Sequence, residues 1–148
     1  NHFITASIFL INIAEQKICH SRAGHIPTLV YKAKEAKSEF MFFDGLGLGI
    51  LRNKKYENHV QEKTFTYESG DILVLITDGI VEAKNQKGQQ FGFERIRSLV
   101  EIHHTKSPRE IQNQLIDSLH GFVGGDGMID DDYSMMVVKF QNPITHNI

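Results

Sequence analysis

The chain has 148 residues, enough for one domain of ordinary size, and 41% of them are hydrophobic, as a single packed core requires. Its 16 Lys and Arg against 18 Asp and Glu give a formal net charge of -2, so there is no basic excess to point to nucleic acid or an anionic membrane surface. The one cysteine, Cys19, rules out an intrachain disulfide and fits a reducing cytoplasm.

In chain order, Phe3 to Ile11 is rich in β-branched and aromatic residues and predicts a strand. The whole apolar start, Phe3 to Ile13, is shorter than the roughly 20 residues needed to span a bilayer, and it shows no basic n-region and no small-residue cleavage site. Ala14 to Lys17 is a polar turn, and Ile18 to Arg22 the returning strand of a hairpin. Cys19 lies in this apolar stretch and reads as a small buried core residue rather than a nucleophile. Extended runs follow at Thr28 to Lys32 and Glu39 to Phe43, before Gly45, Gly47 and Gly49 break the pattern.

Glu62 to Tyr67 alternates like a half-exposed strand. Asp71 to Thr77 is a continuous apolar run, the mark of a strand buried on both faces. Lys84 to Gln90 is a polar loop. Glu94 to His103 puts Ile96, Leu99, Val100 and His103 on one helical stripe. Ser107-Pro108-Arg109-Glu110 combines a capping serine, a first-turn proline and a capping-box glutamate. Ile111, Leu115, Leu119 and Phe122 then form one apolar face. Tyr133 to Phe140 is a last strand, and residues 142–148 are a polar tail to a domain spanning residues 1–141.

Strands come in runs, so a parallel βαβ sheet is disfavoured. The first strand and the Ile72 strand are apolar on both faces, so each sheet is expected to be covered on both sides. An α+β fold of two stacked sheets with helices outside satisfies this.

Four places could carry chemistry. Asp78, in Thr77-Asp78-Gly79, ends the buried strand, where a carboxylate is held fixed and suits Mg²⁺ or Mn²⁺; taken alone, Asp-Gly after a strand is usually only a turn. Asp130-Asp131-Asp132 is a run of mutually repelling acids that a cation could neutralise; alone, it reads as a solvated loop. His25, in Ala23-Gly24-His25-Ile26-Pro27, is a general acid, a ligand, or equally a loop residue held by hydrogen bonds. Gly45-Leu46-Gly47-Leu48-Gly49 lacks the later glycine and following helix of a dinucleotide site, and that reading is discounted.

The order of these pieces is more specific than any one of them. Phe3-Ile4-Thr5-Ala6, Ala23 to Pro27, Gly47-Leu48-Gly49, the block Gly70 to Ala83, Phe91-Gly92 and Asp131-Asp132-Tyr133-Ser134 span almost the whole chain. The series resembles the metal-dependent protein phosphatase superfamily (protein phosphatase type 2C-like), in the bacterial branch of sporulation and stress sigma-regulation phosphatases.

That resemblance implies an α-β-β-α four-layer sandwich of two mainly antiparallel sheets. It implies hydrolysis of phosphoserine or phosphothreonine by a water activated between two Mn²⁺ or Mg²⁺ ions, about 3.5–4 Å apart in such sites. Asp78 and Asp131 match the metal-binding, catalytic aspartates; Asp132 matches the neighbour that holds a metal-bound water. Thr77 and Gly79 shape the turn, and His25 and Glu82 match family motifs without an assigned step. The expected partners are a phosphoserine protein such as an anti-sigma-factor antagonist, and an upstream sensor or receiver domain. Neither nucleic acid nor a membrane span is expected.

No Asp-x-x-Gly-His-Gly, which supplies the family's bridging aspartate, precedes Phe3. The chain is thus expected to be the C-terminal portion of such a domain, inactive or nearly so by itself, with an exposed sheet edge that invites a homodimer. Two other readings were weighed. One is a degenerate phosphatase-fold module that recognises a phosphoprotein without hydrolysing it; the other is an unrelated α+β domain with solvated acidic loops, which leaves the ordered motifs unexplained.

Overall fold

A computed structural model of the chain describes residues 2–51, 54–124 and 132–141. The chain divides into two compact units, Asn1–Pro27 with Met41–Tyr67, and Thr28–Phe40 with Glu68–Ile148. It is of the α+β class, with one antiparallel sheet in each unit. The expected tail, residues 142–148, lies outside the described residues.

In the first unit the strands β1 (Ala6–Asn12), β2 (Lys17–Ala23) and β5 (Glu62–Thr66) pair in the order β1-β2-β5. The β1–β2 turn works because Gln16 takes a left-handed backbone (φ 50) and the Asn12 side chain accepts the Glu15 N–H at 3.1 Å. Period-two alternation puts Ile18 and His20 on the buried side of β2. Cys19, between them, is only half-buried and corrects the expectation of a buried core residue.

The strand expected from Phe3 starts three residues later. Ile4 pairs with Leu48 as an isolated bridge (N–H to O at 2.9 and 2.8 Å), and the ladder with β2 begins at Ala6 opposite Ala23. The apolar character of β1 does not bury both its faces: Ile8 is 63% and Leu10 is 72% exposed. A 3₁₀ helix, Lys54–His59, has no apolar periodicity and was not foreseen.

The second unit holds the main core. Strands β3 (Leu29–Lys32), β4 (Lys37–Phe40), β6 (Ile72–Ile76) and β7 (Met135–Lys139) pair in the order β4-β3-β6-β7. Strand β4 comes earlier than expected, because the tight turn after Lys32 pairs Lys32 with Lys37, with Ala36 at φ 49. Ile72, Leu73, Val74 and Ile76 of β6 are buried, as the continuous apolar run requires.

The helices α2 (Gly92–His103) and α3 (Pro108–Val123) pack on this sheet, α2 against β4 and β3, α3 against β7. Ile96 and Val100 of α2 and Ile111, Leu115 and Leu119 of α3 supply their buried stripes. Helix α3 starts at a complete capping box between Ser107 and Glu110 and ends at Gly124. The Ser107 hydroxyl and backbone N–H, bonded to Glu110, hold that carboxyl below its ordinary range. Lys139 of β7 donates to the carbonyls of His104 and Lys106 at the end of α2, at 2.7 and 2.8 Å.

One buried carboxylate ties this unit's turns together. Asp71 takes a Lys32 ammonium at 2.7 Å and the backbone N–H groups of Ala33 and Glu68 at 2.9 and 3.1 Å. It sits just before β6 and so fixes where that strand begins.

Candidate metal centre

Strand β6 runs straight into Thr77, and the chain then makes one helical turn, α1 (Asp78–Val81). The turn closes through Ile80 N–H to Thr77 O at 3.2 Å and Glu82 N–H to Asp78 O at 2.8 Å. The sequence alone predicts a bare turn here. Four residues are too few to show a helical period, and only the buried Gly79, Ile80 and Val81 hint at one. Asp78 itself is exposed, and its Oδ1 accepts the Gly79 N–H at 3.1 Å.

The lead-in to β7 lies alongside this turn. Thr77 and Ser134 clasp one another: Thr77 N–H donates to Ser134 O at 3.1 Å, and Ser134 N–H donates to the Thr77 hydroxyl at 2.9 Å. Gly79 makes the approach closer still. A Cβ there would lie 2.6 Å from the carbonyl oxygen of Asp132 and 3.5 Å from Tyr133 Cβ. Only a residue without a side chain lets the two segments touch.

Thr77, Asp78, Gly79 and Asp132 are therefore gathered in one place, with Asp132 exposed beside the turn. Asp130 and Asp131 lie outside the described residues. The donors assembled here are carboxylate and carbonyl oxygens, which suit a hard divalent cation. Among the described residues, no group of three or more His, Cys, Asp and Glu side chains is gathered to hold a metal ion. Asp78 and Asp132 are thus the candidate oxygen donors among the described residues. Glu82 is the C-cap of α1 and is exposed, and the polar loop after it closes through a Lys84–Gln90 bridge.

His25 belongs to the first unit. Its Nδ1 is 3.3 Å from the Thr5 hydroxyl, and its carbonyl accepts Arg22 Nη1 at 2.6 Å. Gly24 before it has φ 67, and a Cβ there would meet Gly47 N at 2.8 Å. The first-unit glycines Gly24 and Gly47 thus serve close backbone packing, not a phosphate cradle.

The motif series now has its counterpart among known proteins. Residues 1–141 match the family Stage II sporulation protein E (SpoIIE). The chain belongs to the SpoIIE family. Phosphoserine phosphatase RsbU of Bacillus subtilis (strain 168) is 29% identical over 139 residues, 93% of this chain and 39% of RsbU. The phosphatase domain of SpoIIE from Bacillus subtilis, in Mn-presoaked crystals, shares the fold with a TM-score of 0.69 at 18% identity. That match covers 93% of this chain and 57% of the solved one. The SiaA-PP2C domain of Pseudomonas aeruginosa gives a TM-score of 0.76 at 14% identity, over 93% of this chain and 52% of that domain. This SpoIIE-family chain therefore spans well under two thirds of each of these relatives. No helix among its described residues is long and apolar enough to cross a membrane.

Proposed function

We propose that this chain forms part of a metal-dependent protein serine/threonine phosphatase that hydrolyses phosphoserine or phosphothreonine in bacterial sigma-factor signalling. Asp78 and Asp131 hold Mn²⁺ or Mg²⁺, and Asp132 supports them. The observation that carries this reading is the contact of the Asp78–Gly79 turn with Asp132, two segments far apart in sequence. Membership of the SpoIIE family and the likeness to RsbU support the reaction type.

When bound, the ions supply positive charge that activates a water and steadies the phosphoryl oxygens. The chain's own part is to hold negative oxygens in place. Strand β6 fixes Asp78 through its buried ladder, and the Thr77–Ser134 clasp fixes the lead-in to β7 against it. A scaffold that already holds its donors loses little entropy when the cation arrives. The proposed substrate is a phosphoserine protein such as an anti-sigma-factor antagonist, and the proposed setting is the cytoplasm.

The test is Asp78→Asn in the complete parent enzyme. The amide keeps the shape and removes the charge, so turnover at ordinary Mn²⁺ concentrations is expected to fall by about 100-fold or more, as for loss of a main electrostatic contributor. Full activity would remove Asp78 from the site. Among its described residues, the 148-residue chain gathers no group of three or more His, Cys, Asp and Glu side chains that could hold a metal ion. Its phosphate release from a phosphoserine peptide is expected to stay far below about 1 per second.

A further inference from the structure

Residues 132–134 precede β7 and have no strand ladder of their own, yet the proposed centre needs them at a fixed height over the Asp78 turn. Two side chains outside the motifs supply that support. The Tyr133 hydroxyl is hydrogen-bonded to His120 Nε2 on α3 at 3.0 Å, and the two rings meet edge to face with centroids 6.2 Å apart. Tyr133 Cβ also stands 3.5 Å from where a Cβ of Gly79 would lie. The tyrosine is therefore wedged between the Asp78 turn and the last turns of α3.

Helix α3 is itself a firm base. It is capped at its start, its Ile111, Leu115 and Leu119 are buried, and Gln112 donates to Met135 O at 3.2 Å. One helix thus holds the β7 segment at Met135 through Gln112 and at Tyr133 through His120.

We infer that the Tyr133–His120 pair is a positioning device for the metal centre, holding Asp132 against the Asp78 turn and so setting the centre's affinity for Mn²⁺. The inference rests on the metal reading above. Neither residue touches the cation; each acts through the backbone between Asp132 and Ser134. Partners of this kind typically change metal affinity by about 10–100-fold when lost.

The experiment uses the complete parent protein and two readouts, amide hydrogen exchange and Mn²⁺ binding followed by electron paramagnetic resonance. In Tyr133→Phe, which keeps the ring and drops the hydroxyl, the Thr77 and Ser134 amides should exchange about five- to tenfold faster, the effect of one lost hydrogen bond. The Leu73 and Val74 amides of β6 should not change. Mn²⁺ binding should weaken by about tenfold. His120→Ala should do the same, and the double variant should be no worse than either single one. His120→Gln, whose amide can donate or accept where Nε2 stood, should restore both readouts.

Unchanged exchange at Thr77 and Ser134 in Tyr133→Phe would overturn the inference and leave the metal reading intact. Faster exchange at all amides, β6 included, would also overturn it, since the pair would then serve general packing. Normal Mn²⁺ binding by Asp78→Asn would overturn the metal reading and the inference with it.

Discussion

Strand β1 reads Ala-Ser-Ile-Phe-Leu-Ile-Asn and β6 reads Ile-Leu-Val-Leu-Ile, yet Leu10 of β1 is 72% exposed while Val74 of β6 is fully buried. Both are apolar strands in antiparallel sheets. They differ in what surrounds them. Strand β6 lies between β3 and β7, in a sheet on which α2 and α3 pack. Strand β1 is at the edge of its sheet, and no α-helix belongs to its unit among the described residues. Apolar sequence states a demand for cover; the fold decides whether that demand is met.

The buried polar groups differ in the same way. Asp71 beside β6 is matched by a lysine and two backbone donors. His20 of β2 bonds Ser7 through Nε2 at 2.8 Å and stacks on Phe9, but its Nδ1 has no hydrogen-bond partner among the described residues. Burial, and then the nearby Arg22 charge, lower its pKa from 6.5 to about 4.

Four measurements can break or sharpen this contrast. The largest effect is expected from Ile72→Ala, which empties a fully buried site in β6 and should cost about 3–4 kcal/mol in denaturant unfolding. Asp71→Ala should cost about 2–3 kcal/mol, because two backbone N–H groups and Lys32 lose their acceptor. A change as small as that of a surface residue would show that the Asp71 cluster does not hold β6 in place.

The third effect appears only in acid. The folded His20 pKa lies below the unfolded value, so the unfolded chain binds the extra proton. The stabilisation from neutral His20 is complete above pH 6.5 and is lost as pH falls towards about 4. Stability measured across that window should slope upward with pH, and His20→Phe should flatten the slope. A slope unaltered by the substitution would mean that other groups set it. The smallest effect is expected from Leu10→Ala, within about 0.5 kcal/mol. A cost near that of Ile72→Ala would mean that β1 is covered in solution after all.

Much of the second unit was legible in the sequence. The continuous run at Ile72, the stripe through Ile111, Leu115 and Leu119, and the cap at Ser107 each state their structure locally. What stayed hidden depended on distant neighbours. Nothing around Phe3 says that Ile4 will pair with Leu48 in an isolated bridge, and nothing around Leu10 says that it will stand exposed among the described residues. At the candidate centre, the ordered motifs picked out Thr77, Asp78, Gly79 and Asp132, while Asp131 lies outside the described residues. The support from His120 could not be read, since a helical histidine thirteen residues before Tyr133 carries no spacing signal.

The closeness of Gly79 to Asp132 has a practical consequence. A methyl group at position 79 would have to push backbone rather than a yielding side chain, since the nearest atom is a carbonyl oxygen 2.6 Å away. Gly79→Ala would therefore part the Asp78 turn from Asp132 while every carboxylate remains. Asp78→Asn removes charge and leaves spacing; this change removes spacing and leaves charge. On the phosphatase function proposed above, such a variant of the complete parent protein should still recognise a phosphoprotein, yet fail to consume it. The smallest residue in the motif is thus the natural handle for a substrate trap.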